Sequence, residues 1–436
     1  MRMKYMIVAA AVLLTACEGN LVTDPTASID SETALNTARG IELALNGAYR
    51  SLQAGNREVV AYPDLYADNL DFTGTYQTDR EFGLRNIQTS NGAVLTIWAD
   101  AYDGINRANG VLAAIAEVSD LSSADAALFE GGALFIRAMH YVKLAEWFGG
   151  VPVVLDPAKG VGEESLVARS TTEEVYAQII LDLEAAANLL PAGKDPGRAT
   201  KGAANALLAK AYLESGQYAQ ARDKATSLIS DPGYDLVPDF ASLFTTKHSS
   251  ESIYEIHFTV NNGNSLAFWF FPQELGGRWG FSPTEELFNL YEDNDSRREA
   301  SIQIAASTER RYIYKYARLS TGDDNLILLR LADMYLTRAE ANARLNASDA
   351  TVLADINILR DRAGATPVSA SGQTALLDAV LNERRLEQAF EGKRFFDLRR
   401  FGKAEDKLQI AADRLLLPIP QAERDVNPNL SQNPGY

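Results

Sequence analysis

Cysteine is almost absent from this chain of 436 residues: Cys17 is the only one. Disulfides, multi-thiolate metal sites and a cysteine nucleophile within the body of the chain are excluded together. Histidine is nearly as scarce. His140, His248 and His257 show no spacing of four and no HExxH pattern, so nothing supports a zinc-hydrolase helix. GxSxG, P-loop and dinucleotide-binding glycine patterns are missing as well. Positive charge is in deficit, with 41 Lys and Arg against 58 Asp and Glu and a formal charge of -17. That balance argues against a nucleic-acid backbone or an anionic membrane surface as the main partner. The apolar run from Tyr5 to Leu14 is shorter than the roughly 20 residues a spanning helix needs.

What is present begins at that run. Arg2 and Lys4 precede it, and Leu14-Thr15-Ala16 stands directly before Cys17, the pattern of a secretory signal ending in a lipobox. Residues 1–16 are therefore expected to be a signal peptide and Cys17 an acylated first residue. Residues 17–31 then form a flexible tether between a lipid anchor in the membrane and a soluble body.

Apolar residues recur at helical spacing from Glu32 to about Gln53 and from Val94 to Val118. A further helix should end at Gly149-Gly150, followed by a short apolar strand, Val151 to Leu155. The stretch TTEEVYAQIILDLEAAANLLP carries Thr171 or Thr172 as N-cap and Pro191 as its stop. Residues 205–234 fit a tetratricopeptide-type helical hairpin, with Gly216 in the turn and small residues where the helices approach. A second hairpin is expected around the polar turn Asn346 to Asp349. The fold class expected is mainly α: a tetratricopeptide-like hairpin scaffold carrying a smaller irregular lobe with short β-strands. Residues 32–238 form the first helical part, 239–320 the lobe, and 321–436 a C-terminal helical pair and tail packed on the scaffold.

The lobe contains the strand-like runs SIYEIHFTV and RRYIYKYARL, the second placing Tyr312, Tyr314 and Tyr316 on one face. It also contains SLAFWFFPQELGGRWGF, residues 265–281, with two of the four tryptophans. Read as a strand, LAFWFF sends Phe268 and Phe270 to one side and Trp269 and Phe271 to the other. Trp279, beyond a Gly-Gly turn and beside Arg278, then completes an aromatic platform suited to the apolar faces of sugar rings. Tyr76, in the loop-like DFTGTYQTDREFGLRN, is a second exposed aromatic. The candidate ligand-binding residues are thus Trp269, Phe271, Arg278, Trp279 and Tyr76. YEDNDSRR fails as a calcium loop, because Arg297 occupies a ligand position and Ile304 stands where the bidentate glutamate belongs, and it is read as solvated surface charge.

The last quarter carries LNERRLEQAFEGKRFFDLRRFGK and then LLLPIPQAERDVNPNLSQNPGY. With IWADAYDGINRAN, ALFIRAMHYVKLAEWFGGVPVV, EEVYAQIILDLEAAANLLP, LLRLADMYLTRAEA and ILRDRAG in order along the chain, this pattern resembles the SusD/RagB family of outer-membrane nutrient-binding lipoproteins. The resemblance implies tetratricopeptide-like hairpins cradling an irregular lobe. It also implies capture of an oligosaccharide at the cell surface, delivery to a SusC-like TonB-dependent transporter, and neither catalysis nor a cofactor. A peptide ligand, or a helical scaffold that binds a protein partner, are the alternatives. Within the signature, Glu383, Glu387 and Glu391 fall on one helical stripe, where each like-charged pair costs about 0.2–0.5 kcal/mol unless compensated. Arg394, and Arg360 or Arg362 from the preceding helical pair, are the candidate cations expected to face them in a polar network that locks the C-terminal helices to the scaffold.

Overall fold

The computed structural model describes residues 35–119, 121–158, 160, 162, 166–195 and 197–436. The expected signal peptide, Cys17 and the tether to residue 31 lie outside the described residues.

The longer helices are α1 (Ala38–Ser51), α2 (Asn56–Tyr66), α3 (Gly92–Ile115), α4 (Ser123–Phe148), α5 (Thr172–Leu189), α6 (Lys201–Glu214), α7 (Tyr218–Ile229), α8 (Leu331–Arg344), α9 (Asp349–Ala363) and α10 (Gln373–Glu387). Apart from α2, each packs on the next, from α1 on α3 through α9 on α10, so antiparallel hairpins stack into one scaffold. The expected hairpin is α6–α7. Its turn is closed by Gly216 at a positive φ of 75°, and Ala203, Ala206, Ala209, Ala221 and Ala225 are buried at its close approach. The second hairpin, α8–α9, turns through Asn346 in the same left-handed region. Thr171 caps α5 in a reciprocal box: its hydroxyl accepts from Glu174 N at 3.2 Å while its own amide donates to the Glu174 carboxylate at 2.8 Å. Helices α3 and α4 meet where Gly104 faces His140, and a Cβ at Gly104 would fall 1.9 Å from His140 Nε2.

The expected strand Val151 to Leu155 does not form. The segment is extended, but side chains from the neighbouring helices take the place of a second strand. Tyr102 donates to Pro152 O, Tyr141 to Val154 O, and Asn109 to the carbonyls of Val154 and Asp156.

Among the described residues, strands pair only in twos, all antiparallel: β1 (Leu70–Phe72) with β3 (Phe281–Pro283), β2 (Ser252–Ile256) with β6 (Leu326–Arg330), and β4 (Ile302–Ile304) with β5 (Arg311–Ile313). The tyrosine alternation stops with β5. Tyr312 and Tyr316 are buried and Tyr314 is exposed, because the chain leaves the strand after Ile313.

Beneath the lobe lies a buried network of charge. Arg330 donates to Glu251, Glu387 and Glu391; Arg297 to Asp295, Glu383 and Glu387; Arg362 to Glu251 and Glu387; Arg360 to Glu383; and Lys315 to Glu391. Five cations meet five buried carboxylates, so each desolvated charge has its partner. Arg360 and Arg362 therefore hold the positions expected of them. Arg394 does not: it pairs with Asp68. The glutamate stripe is also interrupted, since α10 ends at Glu387 and Glu391 follows Phe390, a residue at a positive φ of 64°. Asp295 and Arg297 are buried in this network, so YEDNDSRR is solvated surface only at exposed residues such as Asp293.

Candidate ligand-binding site

The pairing of β1 with β3 decides the site. It lays the loop after Phe72 against the residues before Phe281: Thr73 N donates to Gly280 O at 3.0 Å, and the Thr73 hydroxyl donates to Trp279 O. Two segments about two hundred positions apart, one with Tyr76 and the other with Arg278, thereby share one surface.

Residues 265–281 do not form the expected strand. Leu266–Phe270 is a short helix, with Trp269 N bonded to Ser265 O at 3.1 Å and Phe271 N to Ala267 O at 2.9 Å. Aromatic residues favour strands when a partner edge is available. Here the chain supplies its own partner by folding back: Arg278 N donates to Phe268 O at 2.6 Å, Trp279 N to Phe271 O at 2.8 Å and Gly280 N to Trp269 O at 2.8 Å. The glycines permit that return. A Cβ on Gly277 would lie 2.1 Å from Phe271 O, and one on Gly280 would lie 3.2 Å from Trp269 Cε3. Trp279 itself takes a positive φ of 51°, an uncommon conformation for a residue with a side chain.

Helical geometry redistributes the rings. Phe270 and Phe271 are buried, Phe271 lying 4.8 Å from Tyr312 between centroids, while Phe268 is 42% exposed. Phe271 thus belongs to the core and leaves the candidate list; its predicted pairing with Trp269 depended on strand alternation. Trp269 is half-buried, and Tyr76, 46% exposed, meets it edge-on at 5.7 Å. Arg278 brings its guanidinium to 4.6 Å from the Tyr76 ring and 5.2 Å from Trp269. Trp269, Arg278 and Tyr76 are therefore brought together.

Trp279 is half-buried beside them but more committed. Its indole N–H donates to Arg311 O at 3.1 Å, and Arg310 lies 4.3 Å from its ring. The other two tryptophans are core residues: Trp98 packs at 5.1 Å from Phe148, and Trp147 at 4.8 Å from Phe396.

Arg57, from the first turn of α2, was not anticipated. It lies 4.6 Å from the Trp269 ring and donates to Glu58 at 2.7 Å, to Tyr62 at 3.2 Å and to Asp79 at 3.4 Å. Burial works against its charge, yet Tyr62, Glu58 and Asp79 together hold its pKa above the ordinary arginine value. Nothing in the local sequence around Arg57 announces a ring 212 positions away. Arg310 carries a weak signal at best, two residues before Tyr312.

Two models of known families match the chain: the SusD family over residues 310–416, and a family described as starch-binding associating with outer membrane over residues 23–213. The chain belongs to the SusD/RagB family. A SusD-like protein P2 of Formosa agariphila is 26% identical over 506 aligned positions that cover 99% of this chain and 100% of the relative. A solved SusD superfamily protein of Bacteroides vulgatus superimposes with a TM-score of 0.84 at 24% identity, over 92% of this chain and all of that one. A laminarin binding SusD-like protein gives 0.82 at 27% identity, again over 92% and 100%. The tetratricopeptide-like fold of the SusD superfamily is thus the fold of this chain.

None of the three histidines contacts the rings of the candidate site among the described residues. His140 is buried, with Ser51 Oγ at 2.8 Å from its Nε2, and burial followed by repulsion from Lys143 pushes its pKa down to about 3. It is a neutral packing group. His248 and His257 stack on each other at 5.5 Å. Among the described residues, no group of three or more His, Cys, Asp or Glu side chains is placed to hold a metal ion, and no helix is long and apolar enough to cross a membrane.

Proposed function

We propose that this SusD/RagB protein is a non-catalytic binding protein, lipid-anchored through Cys17 on the outer membrane and exposed at the surface. It captures an oligosaccharide and passes it to a SusC-like TonB-dependent transporter. The observation that carries the reading is the half-exposed Trp269 ring, flanked by Tyr76 and Arg278 and held there by the β1–β3 pairing. Sugar rings present apolar C–H faces that stack on such rings, while neighbouring N–H and O–H groups take their hydroxyls. The laminarin-binding relative and the starch-binding family description point to the same ligand class.

The test is a calorimetric titration of the protein with neutral glucan oligosaccharides, repeated on Trp269→Ala and on Phe271→Leu. Saturable binding that disappears in Trp269→Ala and persists in Phe271→Leu is the expected result. Binding that survives Trp269→Ala unchanged would place the ligand elsewhere on the protein.

A further inference from the structure

Three arginines lie on the rings of the candidate site, and their partners differ. Arg57 is matched by Glu58 and Asp79, and Arg310 by Glu274 at 3.3 Å. The Arg278 side chain has no ion pair and no hydrogen bond among the described residues; its contacts are the rings of Tyr76 and Trp269. This is notable in a chain where acids outnumber bases by 58 to 41. Carboxylates are abundant, yet none approaches this guanidinium.

Contact with an aromatic ring satisfies the charge in part, but it uses none of the five N–H donors of an arginine. Those donors form a planar fork that matches a carboxylate or a sulfate ester in a two-point hydrogen bond. The backbone fixes where the fork starts, through Arg278 N to Phe268 O and the neighbouring bonds of Trp279 and Gly280. Half-burial between rings restricts where it can swing. A neutral sugar hydroxyl is also an acceptor, but it leaves the charge uncompensated. The overall charge of -17 does not by itself oppose an anion here, because at physiological salt the charges beyond about 8 Å are largely screened.

We infer that the site takes acidic oligosaccharides, with Arg278 as the specificity-determining group that receives a carboxylate or sulfate ester while Trp269 and Tyr76 hold the sugar ring. This rests on the platform reading above and adds the substrate class to it.

The test uses one backbone in three forms: neutral laminarin oligosaccharides, the same oligosaccharides oxidised at C6 to the carboxylate, and the same chains chemically sulfated. Binding of each is measured by calorimetry to the intact protein, to Arg278→Met and to Arg278→Lys, at low and at high sodium chloride, with the unfolding midpoint of each variant recorded. At least one anionic form is expected to bind about tenfold or more tighter than the neutral chain, as a charged hydrogen-bonded contact allows. That advantage should shrink with salt, and Arg278→Met should weaken the anionic forms far more than the neutral chain, so that the forms bind alike, while Arg278→Lys keeps part of the advantage. The carboxylate and sulfate arms tell the two sources of charge apart. Equal binding of all three forms, or an equal loss for all three in a folded Arg278→Met, overturns the inference and leaves the platform standing. Absence of binding by every form overturns both.

Discussion

Two regions of this molecule spend arginine in opposite ways. Beneath the lobe, Arg297, Arg330, Arg360 and Arg362 are buried against Asp295, Glu251, Glu383 and Glu387, and Glu391 closes the set with Lys315. At the lobe's surface, Arg278 meets only rings. The first arrangement is complete without a ligand, since each charge is neutralised by the chain itself. The second has donors to spare. A cation's partners thus separate a structural cluster from a recognition surface more clearly than its residue type does.

The largest effect expected comes from breaking the closed network. Arg330→Met removes the group shared by three carboxylates and leaves buried charge uncompensated, which costs about 3–5 kcal/mol. Chemical denaturation would show a much lower midpoint, whereas Arg278→Met should leave the midpoint almost unchanged. A similar loss in both variants would erase the contrast between the regions.

Acid sharpens the same contrast. Burial pushes the Glu391 carboxyl up, but Arg330 and Lys315 outweigh it and bring it down to about 2, and Glu387 is held well below its ordinary value by Arg362, Arg330 and Arg297 against the same burial effect. A depressed carboxyl pKa stabilises the fold at neutral pH, and that contribution is lost as pH falls from 4.5 towards the folded value. His140 begins earlier. Its pKa falls from 6.5 to about 3 in the fold, so below pH 6.5 the unfolded chain takes the proton first and stability drops, by about 2 kcal/mol at pH 5. Asp64 works in the opposite sense, since burial raises it to about 6 and its protonation favours the fold below that pH. From pH 7 to pH 5 the unfolding midpoint of the intact protein should therefore fall relative to that of His140→Gln. A difference between the two that does not change with pH would contradict the neutral, buried state of His140.

Sequence reasoning reached the features governed by short-range rules. The α6–α7 hairpin and the Thr171–Glu174 cap both follow from residues a few positions apart. Arg360 and Arg362 were legible as partners of the glutamates because an unpaired acidic stripe demands cations. Arg297, Arg330 and Lys315 were not, for they arrive from the short helix Ser296–Ser301, the end of β6 and the segment after β5, whose approach to α10 is set by tertiary packing. The same limit applies at the site. Tyr76, Trp269 and Arg278 could be named one by one from their local setting, but their meeting depends on the β1–β3 pairing, and Arg57 enters from α2 with no local sign. Phe271 was misassigned because alternation presumes a strand, and LAFWF bonds along itself as a helix.

A small stability effect is expected where the functional effect is greatest. Trp269 is half-buried at the rim, so Trp269→Ala should cost the fold about 1 kcal/mol or less beyond its lost ring contacts, while removing the surface on which a sugar stacks. The most direct measurement is this one variant read twice, by denaturation and by oligosaccharide titration. A near-native unfolding midpoint with binding lost is the predicted result. A collapsed midpoint, or a native midpoint with binding intact, would contradict the assignment of these rings to ligand capture.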